Sequence, residues 1–278
     1  MLLTLTASSL RSMLARGKTG KPKLDLLDLP TFTRQELSLH GLNLSTDLLA
    51  GVSREGLERL RERADKAGCA CLLLVETEAQ AFGGLDAAAT EAAVARVSKV
   101  VQAGHYLGCN AVAVRLAGKA DDAEAFARTA QHLRKAVDRA EKLEMNVLIS
   151  PGPGVATTPE KVTDLIKKVG GFRVGTYPDF EAAATSADPI GYLRRLTPYA
   201  SAVCAATQKI EEGKGGLTHG PYDLGPLVEA ILSVGYDGTL AIEYRGSGDA
   251  KVGVERSRMV LERLLGEEGP EPVEEDEA

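Results

Sequence analysis

The sequence predicts a single (β/α)8 barrel over residues 1–266, followed by a disordered acidic tail over residues 267–278. Three observations carry this. Eight short apolar runs alternate with helix-length segments. Several of the runs are continuously apolar, as strands covered on both faces are. No change of composition divides the first 266 residues, a length that suits one barrel.

The runs come in order. LLTLT spans residues 2–6, and Leu42 to Leu44 sit inside LSLHGLNLS. CACLLLV covers 69–75, AVAVRL 111–116, NVLIS 146–150, FRVGTY 172–177, SAVCAAT 201–207 and TLAIEY 239–244. Helix signals lie between them. Ser53 caps a segment that runs to Ala67 and stops at Gly68. The Ala-rich stretch from Asp86 ends at Leu107 before Gly108, and residues 121–143 repeat Ala and Leu at helical spacing. Thr158-Pro159 and Asp188-Pro189 each pair a capping side chain with proline in the first turn. Residues 224–234 and 255–265 complete the series. An open doubly wound sheet is the alternative topology, but no GxGxxG follows the first run, which weakens its dinucleotide-binding form.

Composition excludes several classes. Hydrophobic residues make up 44% and charged residues 26%, enough apolar surface for a core and too much for global disorder. No uncharged apolar stretch reaches the length of a membrane span. The opening MLLTLTASSLRSMLARG lacks a basic segment ahead of its apolar run, so it does not read as a secretory signal. The formal charge of -6 is a property of the tail, where seven acids and no base occupy residues 267–278, so the body stands at +1. A near-neutral body does not call for nucleic acid. The four cysteines, Cys69, Cys71, Cys109 and Cys204, form no CxxC pair and no disulfide framework, which points to a reducing, cytoplasmic setting.

Barrels of this kind carry their chemistry at the C-terminal ends of the strands. Those ends offer Glu76 and Glu78, Arg115, the turn Ser150 to Gly154, Asp179, Cys204 followed by Gln208 and Lys209, and Glu243 with Arg245. A guanidinium in a barrel strand must point to a polar centre or be paired, so Arg115 either contacts substrate or neutralises an acid. His219 lies in a Gly-rich stretch after the seventh run, which either folds over the site as a lid or is a mobile surface loop. Lys209 and His219 are candidates for substrate contact or for proton transfer. SPGPG lacks the Lys of a phosphate loop, and its two prolines remove N–H donors, so it reads as a rigid turn. The basic stretch Arg11, Arg16, Lys18, Lys21 and Lys23 either attracts an acidic substrate or is solvated.

The segment GYDGTLAIEYRGSGDAKVGVERSRMVLERLL, residues 235–265, resembles the sugar phosphate isomerase/epimerase family of xylose-isomerase-like barrels. LGCNAVAVRLAG (107–118), PDF (178–180) and GLNLSTDLL (41–49) echo it. The resemblance implies a (β/α)8 barrel and a carbohydrate-like substrate. It also implies four metal ligands, Glu, Asp, His and Glu, at the ends of strands five to eight. A divalent ion there (Mn, Mg, Co or Zn) holds substrate oxygens while two carboxylates move a proton. In this sequence those positions fall on Ser150, Asp179, Cys204 and Glu243, and an expected Asn and Lys fall on Ala182 and Ala206. Asp179, Cys204 and Glu243 are therefore the candidate ligands, with Glu243 also the candidate base. Against this, Asp179 reads as a turn residue, Cys204 as a small buried hydrophobe, and Glu243 as the partner of Arg115 or Arg245.

Two functional readings follow. One is an isomerase or epimerase of sugars or sugar phosphates, with a divalent metal or with none. The other is a catalytically silent barrel that binds a small ligand or a protein partner. A third, metal-independent chemistry would use Lys209 or His219 with Glu243. An endonuclease on abasic DNA is disfavoured, since it resembles a richer His/Glu/Asp cluster.

Overall fold

A computed structural model describes residues 1–15, 20, 22–118, 122–213 and 216–266. The acidic tail, and Arg16, Lys18 and Lys21 of the basic stretch, lie outside the described residues.

Eight parallel strands form the sheet: β1 (Leu2–Thr6), β2 (Gly41–Ser45), β3 (Ala70–Val75), β4 (Ala111–Val114), β5 (Asn146–Ile149), β6 (Val174–Thr176), β7 (Ala202–Thr207) and β10 (Thr239–Tyr244). They run in the order β6-β5-β4-β3-β2-β1-β10-β7. The two ends of that order meet, because parallel bridges join Thr176 to Ala200 and Asp179 to Cys204. The Cys204 N–H donates to the Pro178 carbonyl at 2.8 Å. The barrel expected from the sequence is thus closed, with its thinnest seam between β6 and β7.

Helices α1 (Arg11–Leu14), α2 (Leu29–Gln35), α3 (Arg54–Ala67), α4 (Ala87–Leu107), α5 (Ala123–Glu141), α6 (Pro159–Val169), α7 (Phe180–Ala184), α8 (Pro189–Leu196), α9 (Gly225–Leu232) and α10 (Ala250–Leu265) fill the connections. The expected caps are in place: Ser53 accepts from Gly56 N–H, Thr158 from Lys161 N–H and Asp188 from Gly191 N–H. Asp86 caps α4 as well, accepting from Ala88 N–H. The last helix starts at Ala250, earlier than the expected residue 255, with Asp249 as its cap. Gly253, a poor helix former, hid its first turn. It is needed there because a Cβ would lie 2.3 Å from the Tyr244 ring.

Residues alternate along each strand, and the two faces form separate cores. Leu3, Leu5, Leu42 and Leu44 point outward against the helices. Leu73, Ala111, Ala113, Leu148, Tyr177, Ala202, Cys204, Ala206 and Ala241 fill the interior. Five of those nine are alanines, so the interior is narrow in side-chain volume and leaves room for larger polar groups above. Continuing the same alternation to the strand ends, Thr6, Ser45, Val75, Arg115, Ser150, Tyr177 and Glu243 line one cavity at the mouth.

Glu76 ends β3 fully buried, bound to Arg96 Nε of α4 at 2.6 Å. Its other contacts are the Thr46 hydroxyl and the Glu78 N–H. Removing the guanidinium leaves a buried charge without its counterion. Arg96→Met is therefore expected to cost about 1–3 kcal/mol, below the fully buried range because Arg96 is half exposed. Urea denaturation measures it, and adding Glu76→Gln should recover part of the loss.

Candidate functional site

The cavity at the C-terminal mouth encloses about 630 Å³. Its floor is built where the barrel closes. Asp179 follows β6 and caps α7, its Oδ1 accepting from the N–H groups of Glu181 at 2.8 Å and Ala182 at 3.0 Å. The bridge across the seam sets Asp179 beside Cys204 of β7. Glu243 of β10 stands next in the barrel, since β10 pairs with β7. One ligand atom from each of Asp179, Cys204 and Glu243 falls within 4.8 Å of the others. The three residues put forward as ligands thus come together.

Arg245 lies among them. Its Nη2 donates to Asp179 Oδ2 at 2.6 Å and to Glu243 Oε2 at 2.6 Å, and stands 3.7 Å from Cys204 Sγ. Its Nη1 binds Glu181 Oε2. Glu243 is further held by Ser8, whose Oγ donates to Oε1 at 2.6 Å, and by the Cys204 thiol, 3.3 Å from Oε2. Burial alone would raise the Glu243 carboxyl. The Arg245 charge and the donated hydrogen bonds outweigh it and hold the group below the usual carboxylate range. Burial, then the charges of Asp179 and Glu243, push the Cys204 thiol well up, so it keeps its proton.

Three buried hydroxyls, those of Thr6, Ser45 and Tyr177, also line the cavity and form no hydrogen bond of good geometry among the described residues. Tyr177 stands beside Thr6 and Cys204, and Ser45 beside Asp47. Arg115 reaches the mouth and donates to the Thr77 carbonyl. Arg11, the part of the basic stretch that reaches the cavity, is paired with Asp47. Ser150, Pro151, Gly152 and Pro153 form one wall, the rigid turn read from SPGPG.

A family model described as "Xylose isomerase-like TIM barrel" matches residues 35–264. The chain belongs to this family. Solved structures share the fold across nearly the whole chain at 14% identity. An L-ribulose 3-epimerase superposes with a TM-score of 0.79, covering 96% of this chain and 95% of its own. A D-psicose 3-epimerase crystallised in the presence of D-fructose gives 0.74, with 96% and 100% covered. The IOLI protein with a bound zinc atom gives 0.73, with 97% and 100%. No curated protein matches the chain.

Against the ligand pattern that the xylose isomerase-like resemblance implies, the cluster keeps two of four ligands, Asp179 and Glu243, has Cys204 where the His is expected, and holds Arg245 at its centre. A divalent metal needs free lone pairs from each donor. Here Asp179 Oδ2 and Glu243 Oε2 are both engaged by the same Arg245 nitrogen, which also stands 3.7 Å from the Cys204 sulfur. With Arg245 in this position, the donor set does not fit a metal ion.

Two expected residues lie elsewhere. Lys209 is exposed, paired with Glu211, and does not line the cavity. The stretch read as a lid or mobile loop is a hairpin, β8 (Ile210–Gly213) with β9 (Gly216–His219), tied to α10 by Arg263. His219 faces inward from it as a structural group. Its Nε2 accepts from Gln208 N–H at 2.9 Å, and its Nδ1 donates to the Tyr222 carbonyl at 2.8 Å. Both ring nitrogens are engaged, so neither is available to a ligand. Sequence reasoning missed Ser8, Glu181, Thr6, Ser45 and Tyr177. Strand alternation was the available signal for the last three.

Burial holds the His219 imidazole below its ordinary value of 6.5. The unfolded chain therefore takes up the proton first as pH falls. The stability that the neutral ring contributes is full above about pH 6.5 and is lost as pH drops below it towards the folded value. Melting temperature should decline over that range in the native chain, and His219→Gln should flatten this part of the profile. An unchanged slope in the variant would refute the assignment.

Proposed function

We propose that the chain binds a polyhydroxylated, carbohydrate-like small molecule at the barrel mouth and acts on it as an isomerase or epimerase. The carrying observation is a set of buried hydroxyls, Thr6, Ser45 and Tyr177, that line the cavity without a well-formed hydrogen bond among the described residues. A buried polar group without a partner costs about 1–3 kcal/mol. A ligand bearing several hydroxyls supplies such partners, and an apolar ligand does not. The family membership and the epimerase neighbours support the same reading.

In this reading Glu243 is the proton-transfer group. Ser8 and Arg245 fix its position and keep it ionised at neutral pH, and it gains basicity when a ligand takes over contacts that Arg245 makes. Arg115 at the rim binds an anionic end of the ligand, a phosphate or a carboxylate. A silent, ligand-binding barrel is the second reading. It is favoured by the same saturation of Glu243, which three donors hold as a structural carboxylate.

The test is a thermal-shift screen of ketoses, aldoses and their phosphates, followed by turnover assays on the binders. A ligand at about 100 times its dissociation constant adds about 2.7 kcal/mol of stability. Glu243→Gln should abolish turnover while keeping binding within about tenfold. Binding without turnover in the native chain selects the silent barrel, and no binder in the panel refutes the proposal. Arg115→Met should weaken a phosphorylated ligand about tenfold and leave the neutral sugar unchanged.

A further inference from the structure

We propose that Arg245 is the resident cation of this barrel, and that its guanidinium excludes a divalent metal from the site formed by Asp179, Cys204 and Glu243. The inference goes beyond the ligand-binding reading and does not depend on it.

The argument begins with charge. Asp179, Glu181 and Glu243 converge at the floor, with side chains 17%, 33% and 20% exposed. Carboxylates this close and this buried require a positive charge among them. Arg245 reaches all three, with one nitrogen on Asp179 and Glu243 and the other on Glu181. The planar fork of the guanidinium suits that task, where a lysine would offer a single point charge.

Geometry makes the exclusion mutual. A zinc ion takes carboxylate oxygens at about 2.0–2.2 Å and thiolate sulfur at about 2.3 Å. The Arg245 nitrogen already stands 2.6 Å from two of those oxygens and 3.7 Å from the sulfur, in the space the ion would need. Two cations cannot share it. Arg245 is also anchored, since its own N–H donates to the Thr207 carbonyl at 2.7 Å and extends the β10–β7 pairing. Only a side-chain swing could clear the space, and that would break its contacts with all three acids.

Cobalt(II) titration of the native chain tests this, because a cobalt–thiolate bond gives a charge-transfer band independent of activity. The native chain should show no such band, and its melting temperature should be the same in EDTA and in cobalt. Arg245→Ala should gain cobalt affinity by about 100-fold, the scale of losing competing charge-assisted hydrogen bonds. It should also show the thiolate band, which adding Cys204→Ser should abolish. Arg245→Gln, which keeps hydrogen-bonding capacity without the charge, is titrated alongside in case the alanine variant does not fold. A Cys204-dependent band in the native chain would overturn the proposal, because Arg245 would then yield to the metal. So would a folded Arg245 variant with no gain in affinity, because the guanidinium would then not be what keeps the ion out.

Discussion

The mouth of this barrel depends on the neutralisation of clustered carboxylates by Arg245. The three acids come from two elements on either side of β7, next to the closing seam. Asp179 and Glu181 flank the start of α7, and Glu243 ends β10. Without a cation between them they would repel one another across the thinnest join in the sheet, where isolated bridges replace a continuous ladder. The guanidinium therefore links β10 to the β6 end as well as balancing charge. Asp179 does double duty, since one oxygen caps α7 and the other binds Arg245. An alanine at 179 would lose a helix cap and the contact with Arg245 together.

The Glu76–Arg96 pair follows the same rule three strands further round. There the cation comes from an outer helix, and the carboxylate also takes a backbone N–H and a hydroxyl. In both places the acid is fixed by several donors. In neither is it a free carboxylate waiting for an ion.

Much of this was legible in the sequence. Continuous apolar runs with capped helices between them specify the strands, because a parallel barrel buries both strand faces. The convergence of Asp179, Cys204 and Glu243 followed from their places at the ends of successive strands. Arg245 was read only as one alternative partner of Glu243, and its contacts with Asp179 and Glu181 were not readable. An acid two residues before an arginine on one strand could pair with it or turn to an ion, and only the position of Asp179 across the seam decides between them. Lys209 and His219 misled for a different reason. Their segment is polar and Gly-rich, as lids are, yet IEEG and GLTH pair as two strands and turn His219 onto its own backbone neighbours. Helix α7 was hidden because five residues carry no periodicity, and its cap had been read as a ligand or a turn.

The acid cluster and the hydroxyls beside it impose different demands on whatever enters the cavity. Around Arg245, donors and acceptors are already matched, so a ligand gains there only by displacing a contact or by adding to a carboxylate's spare lone pairs. The Thr6, Ser45 and Tyr177 hydroxyls form no well-formed hydrogen bond among the described residues, and each can both donate and accept. A lone cation would satisfy their oxygens but not their protons. A polyol offers both functions at a spacing set by a carbon chain. The alanines below add little side-chain volume, so depth at the mouth is governed by Tyr177 and the acid cluster. Selectivity should therefore reside in the hydroxyl pattern of the ligand more than in its charge, with Arg115 at the rim adding preference for an anionic end.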